Sequence, residues 1–467
     1  MTAATADDAA RSLVARIESV PFSRWHLKPR ILVGSATFFD AFDALTIAFV
    51  LPVLVSVWHI TPAETGFLIS SSYVGQFLGA LLFGWLAERY GRVPCIAGSM
   101  ALMSVMAVGC ALSPNFTALF VFHFIQGIGI GGEIPIAAVY INELSKGQGR
   151  GRYFLLYELT FPLGLMMTGQ AGTVIVPQLG WQVMFWIGAV AGAVIALAVV
   201  RLPESPRWLI AKGRLEEAER VVWRMEKSAA KRQPPPGAWA DSKTGAEESR
   251  TETESKAVAP KDPDASWREL FSSRYLGRTL VVWVLWGTTY FIANTLNNWL
   301  PTLYRTVYEL PLHDALRAAT LTNVAQVLVV LACALCIDRV GRRGWALASF
   351  VAVFVSTASL WVLGAADVTS VIVLATITYG IMGAMAALLV LYTPEIYPTR
   401  IRARGTGLAT IWLRLASALG PSLLGLLVPR LGVAAIFLVF SGVAVVGAAA
   451  ASRMIETRQR SLEDIAP

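Results

Sequence analysis

The chain has 467 residues and a formal net charge of +8, with 55% of its residues apolar and only 15% charged. Its mean hydropathy of +0.57 excludes an ordinary soluble domain and a disordered chain. The basic residues gather in loops on one side of a series of long apolar blocks, so the positive balance records membrane topology and argues against a nucleic-acid partner.

Residues 1–30 are polar, with a short amphipathic piece (SLVARIESV) and then Arg24, Lys28 and Arg30; no apolar core or cleavage site marks a signal peptide. The first span runs from Ile31 to Trp58 and carries two carboxylates, Asp40 and Asp43, near its middle. At about 1.5 Å per residue Asp40 lies roughly 15 Å in, close to the midplane of a ~30 Å hydrocarbon core. Spacing i, i+3 puts both acids on one helix face, and ionisable groups at that depth are functional by default. Two carboxylates so close do not readily carry charge together, which makes one of them a natural proton carrier. The structural alternative is a packing network or a pair with a buried cation.

Six spans are expected near 31–57, 67–87, 94–112, 116–141, 153–176 and 181–201, forming an N-terminal bundle over 31–201. Residues 202–278 follow as an aqueous loop: a periodic, charge-rich helical stretch after span 6, a segment over 233–266 with the composition of a disordered linker, and the amphipathic lead-in WRELFSSRYLGR. Six more spans are expected near 279–300, 318–337, 344–364, 369–393, 405–428 and 433–452, a C-terminal bundle over 279–452, before a tail over 453–467. With a cytoplasmic N-terminus the inner loops hold Arg89, Arg92, Lys146, Arg150, Arg152, Arg339, Arg342, Arg343, Arg400, Arg402 and Arg404, and the outer loops only Arg305, Arg317 and Arg430. The positive-inside rule then places both termini in the cytoplasm. The cysteines Cys95, Cys110, Cys333 and Cys336 lie in or at the ends of apolar segments, and the Cys333/Cys336 CxxC has no second ligand pair nearby, so no disulfide or metal site is expected.

The second half repeats the first. A shift of about 250 residues brings Glu88-Arg89-Tyr90-Gly91-Arg92 onto Asp338-Arg339-Val340-Gly341-Arg342. The same shift brings Glu143 with Arg150 and Arg152 onto Glu395 with Arg402 and Arg404, and Glu204 onto Glu456. The expected fold is all-α: twelve transmembrane helices in two pseudo-symmetric six-helix bundles with a site between them. The acid and arginine sets are expected to bridge helix ends on the cytoplasmic side and to hold one conformation until the halves rock apart; their bland alternative is solvated loop charge.

Gly84-Trp85-Leu86-Ala87-Glu88-Arg89-Tyr90-Gly91-Arg92 resembles the loop 2–3 signature of the major facilitator superfamily, with Glu88 where Asp is usual. Pro203-Glu204-Ser205-Pro206-Arg207-Trp208-Leu209 resembles the signature that follows the sixth helix on the superfamily's sugar-porter side. The seventh span lacks the sugar-specific glutamine pair. Asp40-Ala41-Phe42-Asp43 is similar to the first-helix pattern of aromatic-acid:proton symporters, with Ala41 for glycine. Gln126-Gly127-Ile128-Gly129-Ile130-Gly131-Gly132-Glu133-Ile134-Pro135 is similar to niacin-transporter and synaptic-vesicle-like members, with His123 where arginine is common. Trp299-Leu300-Pro301-Thr302, Pro394-Glu395-Ile396-Tyr397-Pro398-Thr399-Arg400 and Arg414 also fit that branch.

Arg414 lies about nine residues into its span, at the depth of the two aspartates, and keeps its charge there. It needs an anionic partner, either a protein carboxylate or a substrate carboxylate held bidentately. Glu133 and Glu158 sit within spans as inter-helix pairs, substrate contacts or a proton route, and His123 as a packing or titrating residue. Tyr290, Phe291, Asn294, Asn297, Asn298 and Trp299 give the seventh span an aromatic and amide-rich face suited to a flat ring with a polar group. Gly75, Gly79 and the glycines around Gly127 are expected to allow close helix packing. No nucleophile and base set, metal cluster or nucleotide loop appears, so no enzyme activity and no cofactor are expected and the proton gradient supplies the energy.

Residues and resemblance together favour a proton-coupled importer of a small organic acid, aromatic or nicotinate-like, working by alternating access. The alternatives are a proton-coupled exporter of drugs or organic cations, a sugar porter, and a sensor built on a transporter fold with 233–266 as its signalling arm. The expected partners are the small-molecule substrate, protons and lipid, for a monomer in the plasma membrane, or the inner membrane of a Gram-negative cell.

Overall fold

The computed structural model describes residues 3–21, 23–144, 159–230 and 267–458, and everything below refers to these. They form fourteen α-helices and one 3₁₀ turn. A chain this apolar has no water in the bilayer core to satisfy its peptide groups, so each span must close its hydrogen bonds within itself. In chain order the helices are α1 (Ala3–Ser19), α2 (Arg24–Trp58), α3 (Pro62–Tyr90), α4 (Arg92–Ala111), α5 (Phe116–Glu143), α6 (Thr160–Leu179) and α7 (Gln182–Val199). Next come α8 (Pro206–Ala211), α9 (Leu215–Ala230), the turn Trp267–Phe271, α10 (Leu276–Thr306), α11 (Leu312–Val340), α12 (Arg342–Val362), α13 (Val368–Glu395) and α14 (Thr399–Ala451). α14 breaks at Gly432 (φ 77°, ψ 173°) and is two successive spans. With that break, and α6 over the described part of the fifth expected span, the described part of each expected segment is largely helical. Arg150, Arg152, Glu158 and the expected linker over 233–266 lie outside the described residues.

The chain announces where several helices begin. Thr61-Pro62-Ala63-Glu64 forms a capping box at α3: the Glu64 N–H donates to the Thr61 hydroxyl at 3.3 Å, and the Thr61 N–H to the Glu64 carboxylate at 2.8 Å. Asn115 and Asp367 accept the N–H groups of Ala118 and Ser370 to cap α5 and α13.

Within the N-terminal half α3 lies against α5 with almost no side chain between. A Cβ on Gly75, Gly79, Gly127 or Gly131 would run into main-chain atoms of the facing helix. α4 packs on α5 and α7, and α2 on α6, while in the other half α10 and α12 pack on α14 and α11 packs on α13. On the aqueous side Leu13 and Ile17 of α1, and Val20 just after it, are buried against Trp208, Val222 and Met225 of α8 and α9. Arg16 closes this cluster with a two-pronged pair to Glu226 at 2.9 and 2.8 Å.

The internal repeat is a repeat of geometry. In the first half the Glu204 carboxylate accepts the N–H groups of Arg92 at 3.0 Å and Val93 at 3.2 Å, capping α4, while the Arg92 side chain pairs with Glu143 at 3.0 Å. In the second half Glu456 accepts from Arg342 at 2.9 Å and Arg343 at 3.1 Å, capping α12, and Arg342 pairs with Glu395 at 3.3 Å. The two caps differ in setting. Burial pushes the Glu204 carboxyl above its ordinary range, against the N–H groups of Ser205, Arg92 and Val93. Burial also pushes Glu456 up, but the N–H groups of Arg342, Arg458 and Arg343 hold it below that range.

Between the halves α3 packs on α14, α6 on α11 and α2 on α10. Hydrogen bonds across this seam include Ser422 to Ser70 (2.7 Å), Thr173 with Thr320 (3.2 Å), and Asn298 to the Tyr73 hydroxyl (3.0 Å). Main chain meets main chain where Gly66 faces Pro421 and Gly425 faces Pro62.

Gly91 holds φ at +110°, and a Cβ there would collide with the Glu204 carboxylate, whereas Gly84 has open space around it. Gly91→Ala is expected to cost ~1–3 kcal/mol, read as a lower unfolding temperature of the detergent-solubilised protein. Gly84→Ala is expected to be neutral or to stabilise by up to about 1 kcal/mol. Equal melting of the two variants would remove the structural role given to the Gly91 turn.

Candidate functional site

Arg414 comes from the C-terminal half and reaches into the other one. It is 8% exposed, its Nε donates to the main-chain carbonyl of Gln76 at 3.2 Å, and its Nη2 reaches the carbonyl of Gly131 at 3.5 Å. The second acceptor has a cause in the sequence. Residue 135, four beyond Gly131, is proline, so α5 has no N–H to offer the Gly131 carbonyl. The carbonyl on α3 stands beside it because Gly131 lies directly on Gln76. Among the described residues no carboxylate oxygen lies within 4 Å of the guanidinium. Of the two partners expected, a protein or a substrate carboxylate, the first is not in contact here, and peptide oxygens meet the guanidinium, though Asp40 is near enough for the two charges to interact.

The aspartates share a helix face but not an environment. Asp40, fully buried, feels the charges of Glu133, Asp43 and Arg414, and neither of its oxygens has a hydrogen-bond partner among the described residues. Asp43 points into the N-terminal bundle, where Gly188 of α7 makes room for its carboxylate and the Gln126 amide donates to its Oδ2 at 3.3 Å. Gln126 in turn meets His123 Nδ1 at 3.2 Å and Cys110 Sγ at 3.7 Å. Glu133 is fully buried and accepts the Thr37 hydroxyl at 3.1 Å, which ties α5 to α2.

The expected aromatic and amide face of α10 is divided. Tyr290, half-buried, stacks on Trp286 with centroids 5.4 Å apart and 12° between planes, while Trp286 donates to Thr393 at 2.9 Å. Asn294 donates to Ser417 at 2.6 Å within its own half, and Asn298 crosses to Tyr73. Tyr379 lies within electrostatic reach of both Tyr73 and Tyr290 and donates to Gln326 at 3.0 Å. Tyrosines from α3, α10 and α13 thus lie within electrostatic reach of one another, and one of them, Tyr290, interacts with Arg414.

Sequence reasoning missed Tyr73, Gln76, Gln126 and Tyr379. Two signals were present: polar residues inside apolar spans, and a proline four residues after a glycine. The loop-signature residues fall elsewhere. Gly84 is on α3; Arg89 lies over the rings of Trp85 and Tyr90 at 5.6 Å; the Glu88 carbonyl accepts Trp208 Nε1 at 3.1 Å. Arg207 pairs with Glu18 at 3.2 Å, Arg402 donates to the Tyr397 carbonyl at 3.2 Å, and the Arg339 carbonyl accepts Arg458. Arg404 lies on α14, and Asp338 and Gly341 close α11. The pairs Arg92–Glu143 and Arg342–Glu395 each lie within one half and brace neighbouring helix ends inside their own bundle.

Comparison with known proteins fits this architecture. A family model described as "Sugar (and other) transporter" matches residues 35–467. The niacin transporter of Acinetobacter baylyi is 31% identical over 460 residues, covering 97% of this chain and 99% of its own. The 4-hydroxybenzoate transporter of Pseudomonas aeruginosa is 27% identical, covering 88% and 89%. A crystal structure of a D-xylose–proton symporter superposes with a TM-score of 0.71 at 16% identity, covering 93% of this chain and 99% of that one, a likeness of fold alone. This is an integral membrane transport protein: the chain belongs to the sugar (and other) transporter family of the major facilitator superfamily.

Proposed function

We propose that the protein imports a small aromatic monocarboxylate together with protons, binding it between the halves with its carboxylate on Arg414 and its ring among Tyr73, Tyr290 and Tyr379. The observation that carries this reading is the state of Arg414. Among the described residues its hydrogen-bond acceptors are two main-chain carbonyls, which supply partial charge, so a carboxylate offers it a stronger, planar, two-oxygen partner. Relatives named for niacin and for 4-hydroxybenzoate support the same chemistry, since each molecule is a flat ring bearing one carboxylate.

Asp40 and Asp43 are the proton carriers in this reading, with the gradient as the energy source and no cofactor. The protein works as a monomer in the plasma membrane, with both termini cytoplasmic. The seam from Pro62 and Gly425 down to Arg414 is then the closed outer side, and the Glu143, Glu204, Glu395 and Glu456 clusters lie at the cytoplasmic face, where they keep each half rigid while the halves rock. Asp40 supports a second reading, export of an organic cation, because both of its oxygens lack a hydrogen-bond partner among the described residues.

Purified protein in vesicles is expected to accumulate labelled nicotinate or 4-hydroxybenzoate when the outside is acidic, and to lose accumulation with a protonophore or in Asp43→Asn. Arg414→Lys keeps the charge but loses the fork, and is expected to weaken apparent affinity roughly 10- to 100-fold. The carboxamide analogue should bind wild type poorly and lose little more in Arg414→Lys. Equal binding of acid and amide to wild type would sink the anion reading and favour the cation one.

Binding of a carboxylate draws Arg414 off the peptide oxygens. Pro135→Ala returns an N–H to the Gly131 carbonyl and weakens that resting hold, so substrate is expected to bind roughly two- to tenfold more tightly. Unchanged affinity, with the variant melting like wild type, would show that Arg414 does not exchange one partner for the other.

A further inference from the structure

One buried titratable group is used by nothing described so far. His123 is fully buried on α5, and its Nε2 has no hydrogen-bond partner among the described residues. Its other nitrogen ends a chain of contacts that leads to Asp43: Nδ1 to Gln126 Oε1 at 3.2 Å, then Gln126 Nε2 to Asp43 Oδ2 at 3.3 Å. The far end of the chain, Asp43 Oδ1, is also without a partner.

The amide fixes the direction of the chain. Because Gln126 donates its N–H to the carboxylate, its oxygen faces the imidazole, and His123 must carry its proton on Nδ1 to hydrogen-bond there. Nε2 then presents a lone pair to the protein interior, away from water. A neutral packing histidine in so apolar a place would be expected to satisfy both nitrogens. α2 brings Asp43, α4 brings Cys110 against Gln126, α7 brings Gly188, and the contact face of α3 is Ser72, Gly75, Gln76 and Gly79. No cation competes there among these groups. The Gln126 dipole points its oxygen at the imidazole and its N–H at the carboxylate, the orientation that joins a positive ring to a negative acid.

We propose that His123 is a second proton-binding residue of the transport cycle, coupled to Asp43 through the side-chain amide of Gln126. The step is a simple protonation. A proton from the aqueous side forms one N–H bond at Nε2 and turns imidazole into imidazolium; the same bond breaks when the proton leaves on the other side. The inference rests on the proton-coupled reading above.

Two measurements test it on the full chain. Protein with ¹⁵N-labelled histidine rings in lipid vesicles carries only four histidines, so the His123 signal is the one that disappears in His123→Gln. It is expected to pass from the Nδ1–H neutral form to imidazolium between about pH 9 and about pH 4, with a midpoint that moves in Asp43→Asn and in Gln126→Leu. A ring that stays neutral throughout, or that titrates identically in both variants, overturns the proposal. The second measurement is the steady-state accumulation ratio of nicotinate or 4-hydroxybenzoate, whichever the wild type takes up, under an imposed gradient of about one pH unit. Loss of one transported proton in His123→Gln lowers that ratio about tenfold, whereas a purely structural defect slows uptake and leaves the ratio unchanged. An unchanged ratio therefore overturns the second-proton role. If the wild type accumulates neither acid, the functional reading fails, and the ring titration still decides the coupling of His123 to Asp43.

Discussion

A guanidinium at bilayer depth keeps its charge and has to be met by oxygen. Arg414 meets it on the opposite half of the molecule, and the site depends on that contact. The two acceptors exist for different reasons. One is a peptide oxygen that Pro135 leaves without an intrahelical donor; the other lies beside it because α3 and α5 approach through glycine. A methyl group on Gly131 would separate the helices and pull the acceptors apart. Backbone packing therefore sets the electrostatics of the cleft, and the cleft's electrostatics set which ligands it prefers.

The two kinds of contact are distributed differently. Each half is locked internally by a glutamate that caps a helix start and by a largely buried arginine–carboxylate pair, built twice from different residues at corresponding places. The seam between the halves uses hydroxyl groups, one amide, glycine contacts and the Arg414 guanidinium, which rests on peptide oxygens. A hydroxyl bond contributes about 1 kcal/mol, and a largely buried ion pair with several donors more. Rigid bundles joined by individually weak seam contacts are what rocking between two states requires.

Much of this was legible in the chain. Span number, loop charge and the repeat of Glu88–Arg92 in Asp338–Arg342 carry their information in side chains, and glycine spacing foretold the α3–α5 contact. The partners of Arg414 were not legible, because peptide oxygens leave no mark on composition; only Pro135, four residues past Gly131, hinted at one. Asp40 and Asp43 were read as a pair from their spacing. Residues three apart on a helix still differ by about 60° in direction, enough here for one to face Glu133 and Arg414 and the other Gln126. Gln126 was passed over for being uncharged, although an amide inside an apolar helix has as much need of a partner as an acid.

The clasp between α1 and α9 has a consequence for biosynthesis. Arg16 and Glu226 are 210 residues apart, and the whole first bundle lies between them. At ~5–20 residues per second the ribosome needs on the order of 10–40 s to deliver the second partner after the first. Through that interval Leu13, Ile17 and Val20 have no α9 to cover them. The nascent amino terminus thus stays adhesive until six spans have been threaded, and its closure marks the first bundle as finished before the second emerges.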